Sequence, residues 1–344
     1  MKKFIYAFLF LFLAFGSANS QTLFIENFDY TAGDSIGAHG WVYNTGAVNP
    51  LLVTAPGLTY TGYPGSGVGN ALTLKSTGND AYKGFVQDSV GTFYTAFMIR
   101  VDTSRAGGDY FFAMLPSNST TFYTARTYIS DTTGGFRIAL SKGTAATGIA
   151  YSNAVYTRGT TYVVIVKYEF VSGTGNDNLS LYAFSGAIPP TEPGTATIPS
   201  VTSTANDLTN YGRVAVRQGS ATTAPYMIID GFRVAKTWAG IMTSIENTNT
   251  VAESFKLSQN YPNPFNPTTN IKFSVPSNGN VTLKIYNTLG KEVSTLVNSQ
   301  LTTGEYQVDF NAKNLTSGLY FYKLEFAGLN GNYISDIKKM MLVK

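Results

Sequence analysis

Cysteine is absent from this 344-residue chain, histidine occurs once and tryptophan twice. Without cysteine there is no disulfide, no thiol nucleophile and no thiolate metal site. A single histidine cannot supply the imidazoles of a three-histidine zinc centre, and only His39 could act as the base of a Ser-His-Asp triad. Set between glycines in GAHGWVYN, it reads as a turn residue. Charge is scarce too: 13% of residues are Asp, Glu, Lys or Arg, with 24 basic against 20 acidic side chains. Lys2 and Lys3 belong to a leader, so the remainder is nearly balanced, which argues against a nucleic-acid partner. No apolar run reaches membrane-spanning length, so no transmembrane segment is expected in the mature chain.

What is abundant points to strands. The chain is 44% hydrophobic, with 23 Tyr, 23 Phe and 34 Gly. Aromatic and β-branched residues broken by glycine suit an all-β fold with tight turns. The start is a secretory leader. Lys2 and Lys3 precede the apolar run 4–15, and Ala18-Asn19-Ser20 offers small residues for cleavage after Ser20. Composition then shifts once. All eight arginines lie between Arg100 and Arg233, whereas 241–344 holds nine lysines and no arginine. TSIENTNTVAES, 243–254, is polar and lacks alternation, so 241–254 reads as a linker. The expected layout is therefore a leader at 1–20, a first domain at 21–240 and a second at 255–344.

In the first domain, Phe93, Phe97, Ile99 and Val101 share one strand face, with Met98 and Arg100 on the other. YVVIVKYEF, 162–170, reads as a central strand covered on both faces. Val214 and Val216 alternate with Arg213 and Arg217. Burying so many short strands in one domain predicts a two-sheet sandwich. The first strand segment, LFIENFDY at 23–30, and the last, MIIDGFRVAKTW at 227–238, resemble the end strands of laminin-G-like and concanavalin-like lectin sandwiches. That resemblance implies a jelly-roll in which first and last strands pair.

The second domain alternates strictly: Val281, Leu283 and Ile285; Tyr306, Val308 and Phe310; then 319–326 and 333–343. This predicts a small sandwich of immunoglobulin-like size. It is entered through YPNPFNPTTNIKFSVP, where Pro262, Pro264 and Pro267 form a stiff elbow that no ladder can absorb. The order YPNPFNP, VTLKIYNTLGKEV, LTSGLYFYKLEF and IKKMMLVK closely resembles the type A C-terminal sorting domain of the bacterial type IX secretion system. The resemblance covers about the last quarter of the chain. It implies partners in that translocon and its sorting peptidase, and a secreted or outer-surface location in a Gram-negative bacterium. It also implies that Tyr261, Pro262, Asn263, Pro264 and Phe265, the Gly318–Tyr320 pair and the basic Lys338, Lys339 and Lys344 form the sorting motif. Edge-strand protection accounts for such lysines equally well.

Chemistry in the first domain is harder to find. Glycoside hydrolysis needs two facing carboxylates. The glucanase string Glu-x-Asp-x-x-Glu is missing, and Glu169 has Lys167 on its own strand face. Glu26 and Asp29 face opposite sides of a strand, and Glu26 could meet Asp230 across the end strands. Three near-copies, STGND at 76–80, GTGND at 173–177 and STAND at 203–207, place Asp80, Asp177 and Asp207 in loops. Such loops suit calcium or simple turns, with turns favoured. Trp41, Tyr43, Tyr60 and Tyr63 lie in a Gly/Pro-rich region that could offer rings to a glycan. The expected function is a non-catalytic glycan-binding or adhesion module exported to the surface. Polysaccharide cleavage and a purely structural role are the alternatives.

Overall fold

The computed structural model describes residues 22–344 except 45–48, 144–147, 202, 204, 206, 243–244, 248–253, 278, 302 and 329–332. The expected leader, 1–20, and much of the expected linker, 241–254, lie outside the described residues. The regular structure of the described chain is nearly all strand. Its helical pieces are a turn at Ile36–His39 and the four residues Trp238–Ile241.

The first domain is two antiparallel sheets packed face to face. One runs Ile198–Val201, Asn178–Phe184, Thr161–Glu169, Thr92–Thr103, Tyr226–Ala235, Ala71–Leu74 and Leu52–Thr54, with Thr22–Glu26 also pairing Tyr226–Ala235. The other runs Ala150–Tyr151, Gly135–Ser141, Thr124–Thr132, Asp109–Leu115, Tyr211–Val216, Ala81–Asp88 and Val42–Tyr43. First and last strands pair as expected, with Phe24 opposite Val234 and Glu26 opposite Phe232. Phe93, Phe97, Ile99 and Val101 point into the shared core, while Met98 packs on the outer face of the first sheet. Thr161–Glu169 is covered on both sides: Val164 and Val166 face the core, Val163 and Ile165 the outer cluster.

The closing strand breaks its own alternation at Gly231. The register shifts between Asp230 and Arg233, and Gly231 has φ +63°. An added Cβ there would meet Met98 Cε at 3.0 Å and Tyr63 Cε1 at 3.1 Å. Only glycine tolerates both the backbone and the space. The extra residue turns Phe232 inward, where its ring lies 5.1 Å from Phe97.

The second domain has two four-stranded sheets. One contains Ile245–Asn247, Gly304–Asn311, Thr268–Val275 and Lys256–Leu257; the other contains Glu292–Leu301, Gly279–Asn287, Gly318–Gly328 and Tyr333–Leu342. Val281, Leu283, Ile285, Tyr306, Val308 and Phe310 are buried between them, whereas Tyr333–Leu342 buries only Met340 and Leu342. One boundary moves. Ile245–Asn247, expected as linker, pairs with Tyr306–Val308 as an edge strand. Three residues are too few for alternation to register in the sequence.

Candidate functional site

Residues expected to form the sorting motif come together where the elbow meets the last strand. The Tyr261–Pro262 and Asn263–Pro264 peptides are cis. Asn260, buried, donates from Nδ2 to the Pro262 carbonyl at 3.1 Å and to Thr269 Oγ1 at 2.9 Å, which fixes the turn from inside. Phe265 is buried in the core; its N–H donates to Met341 O at 2.9 Å, and Val343 N–H donates back to Phe265 O at 3.0 Å. Met341 N–H also donates to Asn263 Oδ1 at 2.9 Å. Tyr261, by contrast, is 81% exposed. Gly318 opens the strand on which Tyr320 is buried, its hydroxyl donating to Thr316 O at 2.8 Å. Lys339 and Lys344 are exposed, and Lys338 is half-buried. The elbow and the basic last strand thus form one edge.

In the first domain the expected site residues do not form a glycan platform. Trp41, Tyr60 and Tyr63 are 3%, 9% and 3% exposed. Trp41 stacks on Phe28 at 5.9 Å and donates Nε1 to Glu26 Oε2 at 3.1 Å. The Gly/Pro-rich segment 57–69 folds down onto the outer face of the first sheet. There Leu58 N donates to Asp230 Oδ2 at 2.7 Å and Tyr63 donates to Gly231 O at 2.5 Å. Burial is therefore the use these rings serve. Tyr43 is half-buried against Ser35 and Leu51.

The aspartates do not gather around a cation. Asp80 lies 3.5 Å from Arg217. Asp177 accepts from Tyr168 Oη at 2.6 Å and Val171 N at 2.7 Å. Asp207 accepts from Asn176 N and Asp177 N and lies 2.5 Å from the Lys142 ammonium. Their oxygens are engaged by hydrogen-bond donors, and no cluster of three metal-ligating side chains occurs among the described residues. The second and third loop copies form one linked turn instead, through Asp207 and Asp177.

Glu26 and Asp230 are each held by their own donors. Glu26 takes Lys83 Nζ at 2.6 Å, Trp41 and Tyr30; burial pushes the Asp230 carboxyl up to about 8. Glu169 pairs with Lys167 at 3.0 Å, and His39 lies 3.0 Å from Asp34 and flat on Tyr30 at 3.9 Å.

A different surface collects chemistry. On the solvent side of the second sheet, Ala113, Leu115 and Ala215 form a buried floor against which Tyr82, Tyr110 and Tyr123 pack. Register places Ala215 opposite both Ala113 and Tyr82, and Tyr110 opposite Tyr128. Arginines lie across these rings. Arg126 sits 4.6 Å from the Tyr110 centroid and 5.9 Å from that of Tyr123; Arg217 sits 4.3 Å from Tyr110, and Arg213 4.6 Å from Tyr82. Arg217 is fixed by Asp109 at 2.5 Å and by Asp80. Asp109 in turn accepts from Thr223 Oγ1 at 3.0 Å. Burial pushes the phenols of Tyr110, Tyr123 and Tyr128 up, against the pull of the arginines, so at neutral pH they are neutral donors. At one end the face runs into a pocket of about 350 Å³ lined by Pro116, Asn118, Ser119, Phe122, Asp207 and Thr209. Arg213 reaches that end, donating to Ser119 O at 2.6 Å.

Sequence reasoning missed this face. Its trace was the alternation of Val214 and Val216 with Arg213 and Arg217, and the confinement of arginine to 100–233. Which tyrosines stand beside them depends on cross-strand register.

Residues 259–340 match the family described as a secretion system C-terminal sorting domain. This agrees with the type IX resemblance and indicates export to the cell surface or secretion. No curated protein matches the chain by sequence. Among solved structures, domain 4 of AbnA, a GH43 extracellular arabinanase from Geobacillus stearothermophilus, is similar at 10% identity, covering 63% of this chain and 93% of that one, with a TM-score of 0.34. A putative beta-glucanase from Mycobacterium abscessus shows 12% identity, 62% and 99% coverage and a TM-score of 0.35. An alginate lyase from Alteromonas sp. 272 shows 11%, 58%, 95% and 0.30. Similarity this weak carries none of those activities to this chain.

Proposed function

We propose that the first domain is a glycan-binding or adhesion module that the second delivers to the cell surface or the medium. One observation carries this reading: Tyr82, Tyr110, Tyr123 and Tyr128 share the solvent face of one sheet with three arginines over a floor of small side chains. Half-buried tyrosines offer flat apolar rings at low entropic cost, and their neutral hydroxyls donate to sugar oxygens. Arginines stacked on those rings are pre-oriented, so little freedom is lost on binding. The test is affinity electrophoresis of the mature chain through gels containing a panel of polysaccharides. Retardation by at least one polymer, lost in Tyr82→Ala/Tyr110→Ala with the fold intact, supports the reading. Retardation unchanged in that variant moves the site elsewhere, and no retardation leaves a structural surface protein.

A second reading, polysaccharide cleavage, has one observation in its favour. Burial pushes the Asp80 carboxyl up, and Asp80 and Asp109 both close on Arg217. Two carboxyls converging on one cation, one of them raised, are elements from which acid/base work can be built. Both are tied to one guanidinium, however, which favours ordering Arg217 over proton transfer. Reducing-end release by the wild type but not by Asp80→Asn would establish cleavage.

A further inference from the structure

The charge on the tyrosine face is one-sided. Arg126, Arg137, Arg213 and Arg217 stand there against two aspartates, Asp80 and Asp109. Both aspartates are taken by Arg217. Arg126 and Arg213 make no ion pair among the described residues. Arg126 donates Nε to Tyr123 O at 3.2 Å, and Arg213 donates to Ser119 O, so each is held by a ring and a carbonyl. Their strands, Thr124–Thr132 and Tyr211–Val216, flank Asp109–Leu115 on either side. Two strand spacings separate them, about 10 Å.

We propose that this face selects a polysaccharide bearing carboxylates, a uronic-acid polymer, and that Arg126 and Arg213 determine the selectivity. The proposal rests on the glycan-binding reading and adds the ligand class. A guanidinium is planar and always charged, and it donates two parallel N–H bonds to a carboxylate. Stacking on Tyr110 and Tyr82, with one donor of each given to Tyr123 O and Ser119 O, leaves the remaining in-plane donors as the directions open to a ligand. A neutral glycan covering the face would desolvate both cations without an anion to replace the lost water. A uronic-acid chain supplies a carboxylate repeatedly along its length, and its hydroxyls meet the tyrosine phenols beside the guanidiniums. Arg217 is a positioning residue here, fixed by its aspartates beneath Tyr110.

The test compares polymers that differ in charge alone. The mature chain is titrated with polygalacturonate and its methyl ester, and with alginate and carboxyl-reduced alginate. Binding to a free acid, weakened about tenfold by each of Arg126→Gln and Arg213→Gln and abolished by esterification or reduction, is expected. Arg100→Gln, a cation on the first sheet paired with Asp102, should change nothing. Arg126→Lys/Arg213→Lys, which keeps charge but loses the fork, should bind more weakly than wild type. Thermal melts establish that each variant is folded. Equal binding to acid and neutral twin, still lost in Tyr82→Ala/Tyr110→Ala, overturns the selectivity and leaves glycan binding standing. Binding to neither acid, or to dextran sulfate alone, overturns the proposal; failure with every polymer removes the glycan reading as well.

Discussion

Replacing Asp207 by asparagine should unfold more of the first domain than an exposed loop change would. Lys142 is fully buried, and the Asp207 carboxylate, 2.5 Å from its ammonium, is its one ion-pair partner among the described residues. That ammonium also donates to a carbonyl, Ser203 O, at 3.3 Å. Asp207 also holds the amides of Asn176 and Asp177, and Asp177 holds Tyr168 and Val171. Removing one partner of a buried pair leaves an uncompensated charge, which costs about 3–5 kcal/mol. At about 2–4 °C per kcal/mol for a domain of this size, Tm should fall by about 6–20 °C. Lys142→Met combined with Asp207→Asn should recover part of the loss, because the buried charge is gone. Acid should act in the same direction. Burial pushes the Asp207 carboxyl up, but Lys142 and the amides of Asp177 and Asn176 outweigh it and hold it below the usual carboxylate range. This contribution is therefore full above about pH 4, the unfolded value, and fades as pH falls through the lower folded value. Thermal melts with and without calcium complete the assay. A loss under about 1 kcal/mol would refute the reasoning, as would a calcium-dependent rise in Tm that Asp207→Asn removes.

Other consequences follow from single side chains. Phe265→Ala empties a buried site where the elbow meets the last strand, so the second domain should lose about 3–5 kcal/mol and export should fail, read by surface proteolysis of intact cells. Gly231→Ala forces a Cβ onto Met98 and Tyr63 at a positive φ and should cost about 1–3 kcal/mol by denaturant unfolding. Lys83→Met strips the cation from the buried Glu26 carboxylate and should cost about 3–5 kcal/mol, with little effect in Lys83→Met/Glu26→Gln.

Much of the architecture was legible because burial writes period two into a strand. Phe97, Ile99 and Val101, or Val281, Leu283 and Ile285, could face only one way. The sorting domain was legible as a series of local strings, and the structure adds that Asn263 and Phe265 bond the last strand. The glycan aromatics were misplaced for a physical reason. A Gly/Pro-rich segment reads as an exposed loop, yet segment 57–69 is drawn onto the sheet by Asp230, which lies 172 residues beyond Leu58. The Asn-Asp loops were legible as turns, but their linkage through Asp207 and Lys142 was not. The tyrosine face escaped because Tyr82 joins the Tyr110–Tyr128 pair only through Tyr211–Val216, a strand distant in sequence from both.

Hydrogen–deuterium exchange of the mature chain, free and saturated with the polysaccharide that retards it most, tests the central claim most directly. The account predicts new protection in Asp109–Leu115, Thr124–Thr132 and Tyr211–Val216, with the outer face of the first sheet unchanged. Protection confined to segment 57–69, or to the second domain, would contradict it.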